Sequence, residues 1–356
     1  MSPAAPAART PQVVALLVVI AVMLVAPFGW RAATAAWGPA AESLPPSYLP
    51  ALESRRERIP FDPGHIEGLQ NMQPGFVIIG DSMGGRIDPA RLTQLSDEFV
   101  APILRNATGS AYWYLAFKNY VVAAGIHPGW VIVFFRDTNL TDPLWRGTGF
   151  YREVLDYAAT DHEPELNEVM AARTTGPWFQ VHRTVEETYG IGRARDWIEP
   201  GITSWLSRVV VGHVRRETFM DDMNAAFDLT HLRPIPEADL AAAEDRDADF
   251  AANVDTSVLP LFMDLAREQG LRLCFVRVLR RTIDGQPRPQ SPALEQYVRD
   301  MRAWIEARGG VLLDDRDDPS MWTIRYDDGD HIAREDRVKY TEIFWERMQR
   351  LPGAGR

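Results

Sequence analysis

The sequence predicts an α/β protein, a three-layer α/β/α sandwich with a parallel sheet, preceded by an apolar N-terminal segment. Short apolar runs of strand length alternate with longer segments in which apolar residues recur every three or four positions. The apolar runs, such as WVIVFF at 130–135, are continuous, which is typical of strands buried on both faces of a parallel sheet. Alternating strands and helices imply parallel pairing, with helices covering both faces.

The composition is that of a folded chain and excludes several classes of function. The chain has 356 residues, 46% hydrophobic and 24% charged, and a formal net charge of −11. This acidic balance argues against nucleic-acid binding, which needs a basic face to offset phosphate charge. The single cysteine, Cys274, excludes an intramolecular disulfide, and its apolar surroundings predict a buried, inert thiol. The histidines other than His331, which is discussed below, show no metal-ligand spacing, and no glycine-rich phosphate loop is found. No metal or cofactor is therefore predicted.

The N-terminal region predicts a membrane anchor. After a tail at 1–12, residues 13–30 carry no charge, and at about 1.5 Å per residue they span about 27 Å, close to the hydrocarbon thickness of a bilayer. Trp30 and Trp37 lie where an interfacial aromatic belt is expected. The alternative is a signal peptide cleaved at 33–35, but that site lies far beyond the apolar core. The bulk of the chain is then expected in the periplasm or outside the cell.

The elements of the α/β domain are predicted within residues 73–350, after an Ala- and Pro-rich stalk at 31–72. The predicted strands are 76–79, 99–104, 130–135, 271–279 and 310–313. The predicted helices are one capped by Asp88 with Pro89 at its first position, then 110–124, 258–267, 294–308 and 334–348. Strand signals are sparse between about 140 and 255, which predicts a mainly helical insertion. This insertion is expected to form either a cap or partner surface over the cleft, or a peripheral helical layer.

A candidate nucleophile follows the first predicted strand. The segment GDSM places Ser82 at a strand-to-helix junction, where its hydroxyl lies near free backbone N–H groups that can stabilise an oxyanion. The alternative is that Ser82 caps the following helix.

A candidate base lies near the C-terminus, in the segment YDDGDH before the last predicted helix. A carboxylate at Asp328, three residues before His331, can orient the imidazole while its other nitrogen faces a nucleophile. Asp327 and Asp330 are alternative partners for the histidine.

The order of these motifs, GDS after the first strand and D-x-x-H before the last helix, resembles the SGNH (GDSL-type) hydrolase superfamily. The resemblance covers residue 73 to about 139 and about 255 to about 350. It implies that Ser82 is the nucleophile, His331 the general base and Asp328 the residue that orients the histidine. It also implies that the backbone N–H of Ser82 contributes to the oxyanion hole.

The two middle motifs of the superfamily have weaker counterparts. Gly109, after the second strand, matches the glycine whose N–H is a second oxyanion donor. The third motif, G-x-N-D, is matched only by Asn139, whose side-chain amide would complete the hole. Asp137 replaces the usual glycine, and Leu140 replaces the usual aspartate. The alternative for Asn139 is a loop asparagine that makes a local turn bond.

The layout of an anchor followed by such a domain resembles accessory proteins that partner membrane-bound O-acyltransferases. It implies a serine acyl-ester enzyme of the cell envelope that transfers acyl (acetyl) groups to, or removes them from, an envelope glycan or lipid. The triad does not decide between hydrolysis and transfer, because the acceptor depends on what the cleft admits. The alternative is a catalytically idle scaffold that binds a glycan or an acyltransferase partner. The altered third motif favours that alternative, and the complete Ser82, Asp328 and His331 set argues against it.

Overall fold

A computed structural model describes most of the predicted α/β domain. The described residues are 63–106, 108–145, 155, 157–160, 163–174, 248–283, 285–327 and 331–351, with positions 18, 21–22 and 25–26 in helical conformation. Most of the predicted anchor at 13–30 and the middle of the predicted insertion lie outside these residues. Within the described part of the chain, no helix is both long and apolar enough to cross a membrane. Of two compact units in the chain, the second (Ser47–Arg173 and Met223–Arg356) holds every strand and helix bounded below.

The centre of the fold is a five-stranded sheet in which all neighbouring strands are parallel, in the order β2-β1-β3-β4-β5. The strands are β1 (Phe76–Gly80), β2 (Val100–Leu104), β3 (Trp130–Phe135), β4 (Leu273–Arg277) and β5 (Val311–Asp314). In the register, Ile79 lies opposite Ile103 on one side and Val133 on the other. The predicted α/β class and parallel sheet are confirmed, and the five predicted strand segments share this sheet.

Helices cover both faces of the sheet. The α-helices are α1 (Gly64–Met72), α2 (Pro89–Ser96), α3 (Ser110–Ala116), α4 (Pro164–Arg173), α5 (Phe250–Asn253), α6 (Leu259–Gln269), α7 (Pro292–Glu306) and α8 (Arg337–Gln349). One core cluster packs Ile79 and Val133 against residues of α1 and α3 to α7. The other packs Ile78 and Ile132 against α2 and α8. Successive residues of each strand point to opposite faces of the sheet, and both faces are covered by apolar layers. This explains why the strands are continuous apolar runs.

Local signals place the helix ends. The Asp88 side chain accepts the N–H of Arg91 at 2.9 Å and Pro89 occupies the first turn, so the predicted cap of α2 is confirmed. The predicted helix at 110–124 is observed in two parts, because α3 continues as a π-helix at Phe117–Val122. The chain then turns at Gly125, whose φ of +63° is a conformation that glycine adopts readily.

The described parts of the predicted insertion pack on the domain. The Asn119 amide, in the π-helix, donates to the Ala158 carbonyl at 2.6 Å and to a Glu163 carboxylate oxygen at 2.7 Å. Arg173, at the end of α4, donates to the side chain of Asn253, near the other end of the insertion, at 2.6 Å. These parts form a helical layer on the core. The prediction of a cap or partner surface concerns the whole insertion at about 140–255, and it stays a prediction because most of these residues, including 175–247, lie outside the described ones.

Candidate serine–histidine site

Ser82 lies directly beyond β1, as the first residue of a short 3₁₀-helix, Ser82–Arg86. The cap of this helix is Asp81, whose buried carboxylate accepts the N–H of Met83 at 2.9 Å. The alternative prediction, that Ser82 caps the helix, is therefore wrong. Because Asp81 satisfies the helix start, the Ser82 hydroxyl is available for another partner.

Gly80 allows the turn into this helix to lie close to its neighbour strand. A Cβ atom at Gly80 would stand 3.3 Å from both the Cβ and the carbonyl oxygen of Phe134 in β3. The N–H of Gly84 donates back to the Asp81 carbonyl at 3.1 Å and closes the first turn. Packing and backbone hydrogen bonds therefore fix the position of Ser82 at the carboxyl-terminal end of β1.

The structure brings Ser82 and His331 together, although 249 residues separate them in the chain. The Nε2 atom of His331 lies 2.9 Å from the Ser82 Oγ atom, a hydrogen-bond distance. His331 is exposed and Ser82 is half-buried, so a substrate can reach the pair from solvent. When Nε2 is unprotonated, it accepts the serine proton, which is the arrangement of a nucleophile with its general base.

Described residues before and after positions 328–330 pair with each other. Tyr326 and Ile332 make an isolated antiparallel bridge, and we call the described residues 326–327 and 331–332 the histidine loop. Inside the bridge, the Asp327 N–H donates to the His331 carbonyl at 2.9 Å. The backbone next to His331 is thus held by the bridge below it.

An ion pair adjoins the histidine loop, because Arg325, the residue before Tyr326, pairs with Asp336. The Asp336 carboxylate accepts the Arg325 backbone N–H at 2.7 Å and its guanidinium Nη2 at 2.7 Å. These hydrogen bonds, above all that from the guanidinium, lower the pKa of Asp336 below its ordinary value. The pair links the residue before the loop to the residue before α8.

The carboxylate partner of His331 stays a prediction. Asp328, which the resemblance assigns to this role, lies outside the described residues, as does Asp330. The remaining alternative, Asp327, is exposed, and its bond to His331 joins two backbone groups.

The other two predicted oxyanion residues, Gly109 and Asn139, follow the strands on either side of β1. Gly109 comes after β2, and Asn139 comes after β3. Because the strands are parallel, their carboxyl ends meet at one edge of the sheet, where functional loops gather. The N–H of Arg105 donates to the Gly80 carbonyl at 3.1 Å and ties the end of β2 to the end of β1. Ser82, Gly109 and Asn139 therefore all lie in segments that follow the carboxyl-terminal ends of neighbouring strands. Their oxyanion roles stay predictions.

Gly109 occupies a position that only glycine fits. It is the residue before α3, and a Cβ atom on it would lie 2.1 Å from the Trp145 carbonyl oxygen. The turn that carries Trp145 is held by Asp142, whose Oδ1 accepts the N–H groups of Leu144 and Trp145, each at 3.1 Å. The Ser110 hydroxyl donates to the Asp142 carbonyl at 3.2 Å and fixes this turn to the start of α3.

The altered third motif keeps a glycine-like backbone path. Asp137 has a φ of +47°, in the left-handed region that glycine adopts readily and that aspartate tolerates better than most residues. The Asn139 N–H donates to the Arg136 carbonyl at 3.0 Å and closes the turn. Leu140 is fully buried and adds to the core. Asp137 and the Asn139 backbone hydrogen bond thus form this turn.

A buried ion cluster surrounds the Asp137 carboxylate, and sequence reasoning missed it. Arg280 donates to this carboxylate, and Nη2 of Arg277 lies 3.7 Å from its Oδ1. Arg277 also donates from Nη1 to Asp314 at 2.7 Å. We call Asp137, Arg277, Arg280 and Asp314 the Asp137 cluster, which ties together the carboxyl ends of β3, β4 and β5. The available signal was Arg277 itself, because a charge inside a buried apolar strand requires a partner.

The single cysteine is not part of the candidate site. Cys274 is fully buried in β4, and burial raises the pKa of its thiol to about 12, so the predicted buried thiol is confirmed. In the part of the chain that the structure describes, no group of three or more His, Cys, Asp and Glu side chains is arranged to hold a metal ion.

Comparison of the chain with protein-family models, with curated proteins and with solved structures returned no match.

Proposed function

We propose that this chain is an SGNH-type serine acyl-ester enzyme. The single observation that carries the proposal is the 2.9 Å contact between His331 Nε2 and Ser82 Oγ at the carboxyl edge of a parallel sheet. A serine and a histidine in contact, next to loops with backbone N–H groups, are the parts that acyl transfer needs.

The mechanism follows from the roles of these groups. His331 Nε2 takes the proton of the Ser82 hydroxyl while Oγ attacks the ester carbonyl carbon. The backbone N–H groups of Ser82 and Gly109 and the Asn139 amide stabilise the oxyanion that forms. When the intermediate collapses, His331 returns the proton to the leaving alcohol, and an acyl group remains on Ser82. Asp328 holds the imidazole in the productive tautomer.

A second acceptor completes the reaction. His331 removes a proton from water, or from a hydroxyl of a glycan or lipid, and that oxygen attacks the carbonyl carbon of the acyl group on Ser82. The bond from this carbon to Ser82 Oγ then breaks, and His331 returns the proton to Oγ. Water gives hydrolysis, and a sugar or lipid hydroxyl gives transfer. The proposed setting is the cell envelope, with the segment 13–30 as a membrane anchor, the site in the periplasm or outside the cell, and a membrane-bound O-acyltransferase as partner.

The competing proposal is an idle scaffold that binds a glycan or an acyltransferase partner. It draws support from Asp137 and Leu140, which depart from the third motif. The left-handed backbone at Asp137 weakens that support, because the turn that presents Asn139 keeps a glycine-like path.

The test is covalent labelling of the full-length chain with a fluorophosphonate, a probe that reacts with nucleophilic serines. Wild-type chain is expected to be labelled, and Ser82→Ala is expected to lose labelling with little change in melting temperature, because the half-buried side chain adds little packing. Ser96→Ala, at the end of α2, is the matched control and is expected to label like wild type. Labelling of the Ser82 variant, or an unlabelled wild type, would contradict the proposal, and the second result would favour the scaffold.

A further inference from the structure

Arg86 forms a buried link at the far end of the 3₁₀-helix that begins with Ser82. Its side chain is 2% exposed, and its Nη1 donates to the Tyr326 hydroxyl at 3.3 Å. The guanidinium carbon lies 5.4 Å from the centroid of the Tyr326 ring, so the same two side chains also make a cation–π contact. Burial alone would lower the pKa of Arg86, but neighbouring Tyr326, Tyr340 and Asp315 raise it overall, so this guanidinium stays charged.

Tyr326 joins three segments through one hydroxyl. The hydroxyl accepts from Arg86 on the Ser82 helix and donates to the Leu279 carbonyl, beyond β4, at 2.8 Å. Its backbone bridges Ile332 at the base of the histidine loop. The Ser82 helix, the histidine loop and the end of β4 therefore meet at this residue.

Few residues of the chain separate the Arg86–Tyr326 contact from Ser82 on one side and from His331 on the other. Ser82 and Arg86 are the first and last residues of one 3₁₀-helix, and His331 precedes Ile332, the partner of Tyr326 in the bridge. His331 is itself exposed, so burial contributes little to fixing the imidazole. The backbone at the base of its loop therefore contributes to the position of the imidazole.

We infer that Tyr326 and Arg86 are positioning residues that hold His331 at hydrogen-bond distance from Ser82. This inference rests on the proposed function. Without the Tyr326 hydroxyl, the histidine loop is free to shift relative to the Ser82 helix, and the fraction of molecules with an aligned pair falls. The observed rate is proportional to the fraction of aligned molecules, so it falls with that fraction. The affinity for substrate is unchanged. A displacement of about 1 Å at a reacting group is enough for a loss of about 100-fold.

The test compares Tyr326→Phe with Tyr340→Phe. Each variant loses one hydroxyl group and keeps its ring beside Arg86, whose guanidinium carbon lies 5.4 Å from the Tyr326 ring centroid and 5.9 Å from the Tyr340 ring centroid. The Tyr340 hydroxyl, however, donates at 2.7 Å to Asp315, the residue after β5, and neither residue belongs to the histidine loop. Tyr340→Phe is thus a matched control for the loss of a tyrosine hydroxyl next to the same arginine.

The measurements are the second-order rate of fluorophosphonate labelling, kcat and KM for p-nitrophenyl acetate, and the melting temperature, all on the full-length chain. Tyr326→Phe is expected to lower the labelling rate and kcat by about 10- to 100-fold with KM nearly unchanged. Tyr340→Phe is expected to keep both rates near wild type while lowering the melting temperature at least as much, since it removes a fully buried bond.

Equal labelling rates in the two variants, or a loss in Tyr326→Phe that appears only in KM, would overturn the inference while leaving the proposed function in place. An unlabelled wild-type chain would overturn both. If Tyr326→Phe fails to fold, Arg86→Lys replaces it, because lysine keeps the charge but not the planar fork of donors. The expected result is again a lower labelling rate, and a wild-type rate in that variant would overturn the inference.

Discussion

The two halves of the candidate site are held together by different chemistry. The half proposed to contain the reacting atoms is joined by a direct side-chain contact, from His331 to Ser82 at 2.9 Å. The half predicted to form the oxyanion hole is held by its surroundings. Gly109 fits beneath the Trp145 carbonyl, and the Asp137 carboxylate is enclosed by the arginines of its cluster.

The difference shows where a motif must be kept and where it is replaceable. A proton transfer needs particular atoms at a particular distance, so the Ser82–His331 half admits few substitutions. A turn needs only a backbone path, and Asp137 supplies that path where the superfamily pattern has glycine. Its side chain then forms contacts with Arg277 and Arg280 that glycine cannot make.

Among the variants that test this comparison, the largest effect is expected from Asn139→Ala, which asks whether the second half takes part in the chemistry. If the Asn139 amide stabilises the oxyanion, turnover of p-nitrophenyl acetate should fall by about 100- to 1000-fold. KM should change little, because this interaction strengthens only as charge develops on the carbonyl oxygen. Asn167→Ala, on α4, is the control and should behave like wild type. A loss below about tenfold would restrict the catalytic machinery to the first half.

A smaller effect is expected from two substitutions at Asp137, which separate its backbone from its charge. Asp137→Asn keeps tolerance of the left-handed backbone and removes the charge, so the free energy of unfolding should fall by about 3 kcal/mol, as when a buried ion pair is broken. Asp137→Gly also removes about 1 kcal/mol of backbone strain, so its loss should be about 2 kcal/mol. Urea unfolding measures both. A glycine variant more stable than wild type would mean that the ion cluster adds nothing.

The smallest effect is expected from Asp336→Asn, at the ion pair below the histidine loop. Because the folded-state pKa of Asp336 is lowered, the contribution of its charged form to stability is present above the unfolded-state pKa of 3.8. That contribution is lost as the pH falls through the lower, folded-state pKa. The stability difference between wild type and variant should therefore be visible at pH 6 and shrink below pH 3.8. A difference that is constant with pH would assign the effect to packing.

The sequence was sufficient for the sheet and for the Ser82–His331 pair, because apolar runs and short motifs are local signals. The predicted strand at 271–279 is longer than β4, since its ends belong to buried loops that share the apolar character of the strand. The cap of the Ser82 helix was assigned correctly only by the structure, because Asp81 and Ser82 are both good capping residues. The contact between Arg86 and Tyr326 spans 240 residues, and no local pattern marks it.

The order of the strands also has a consequence for how the molecule is made. Val131 pairs with Leu273, and Ser82 meets His331 across 249 residues, so the sheet and the site both depend on contacts of very long range. Closing such long loops costs entropy before any contact compensates, and folds of this kind form slowly. During synthesis the serine emerges first, and the histidine follows only after β4 and β5 have been made. Under the proposed function, the nascent chain therefore carries an unactivated serine for most of its elongation, and the serine becomes reactive only at the end of folding.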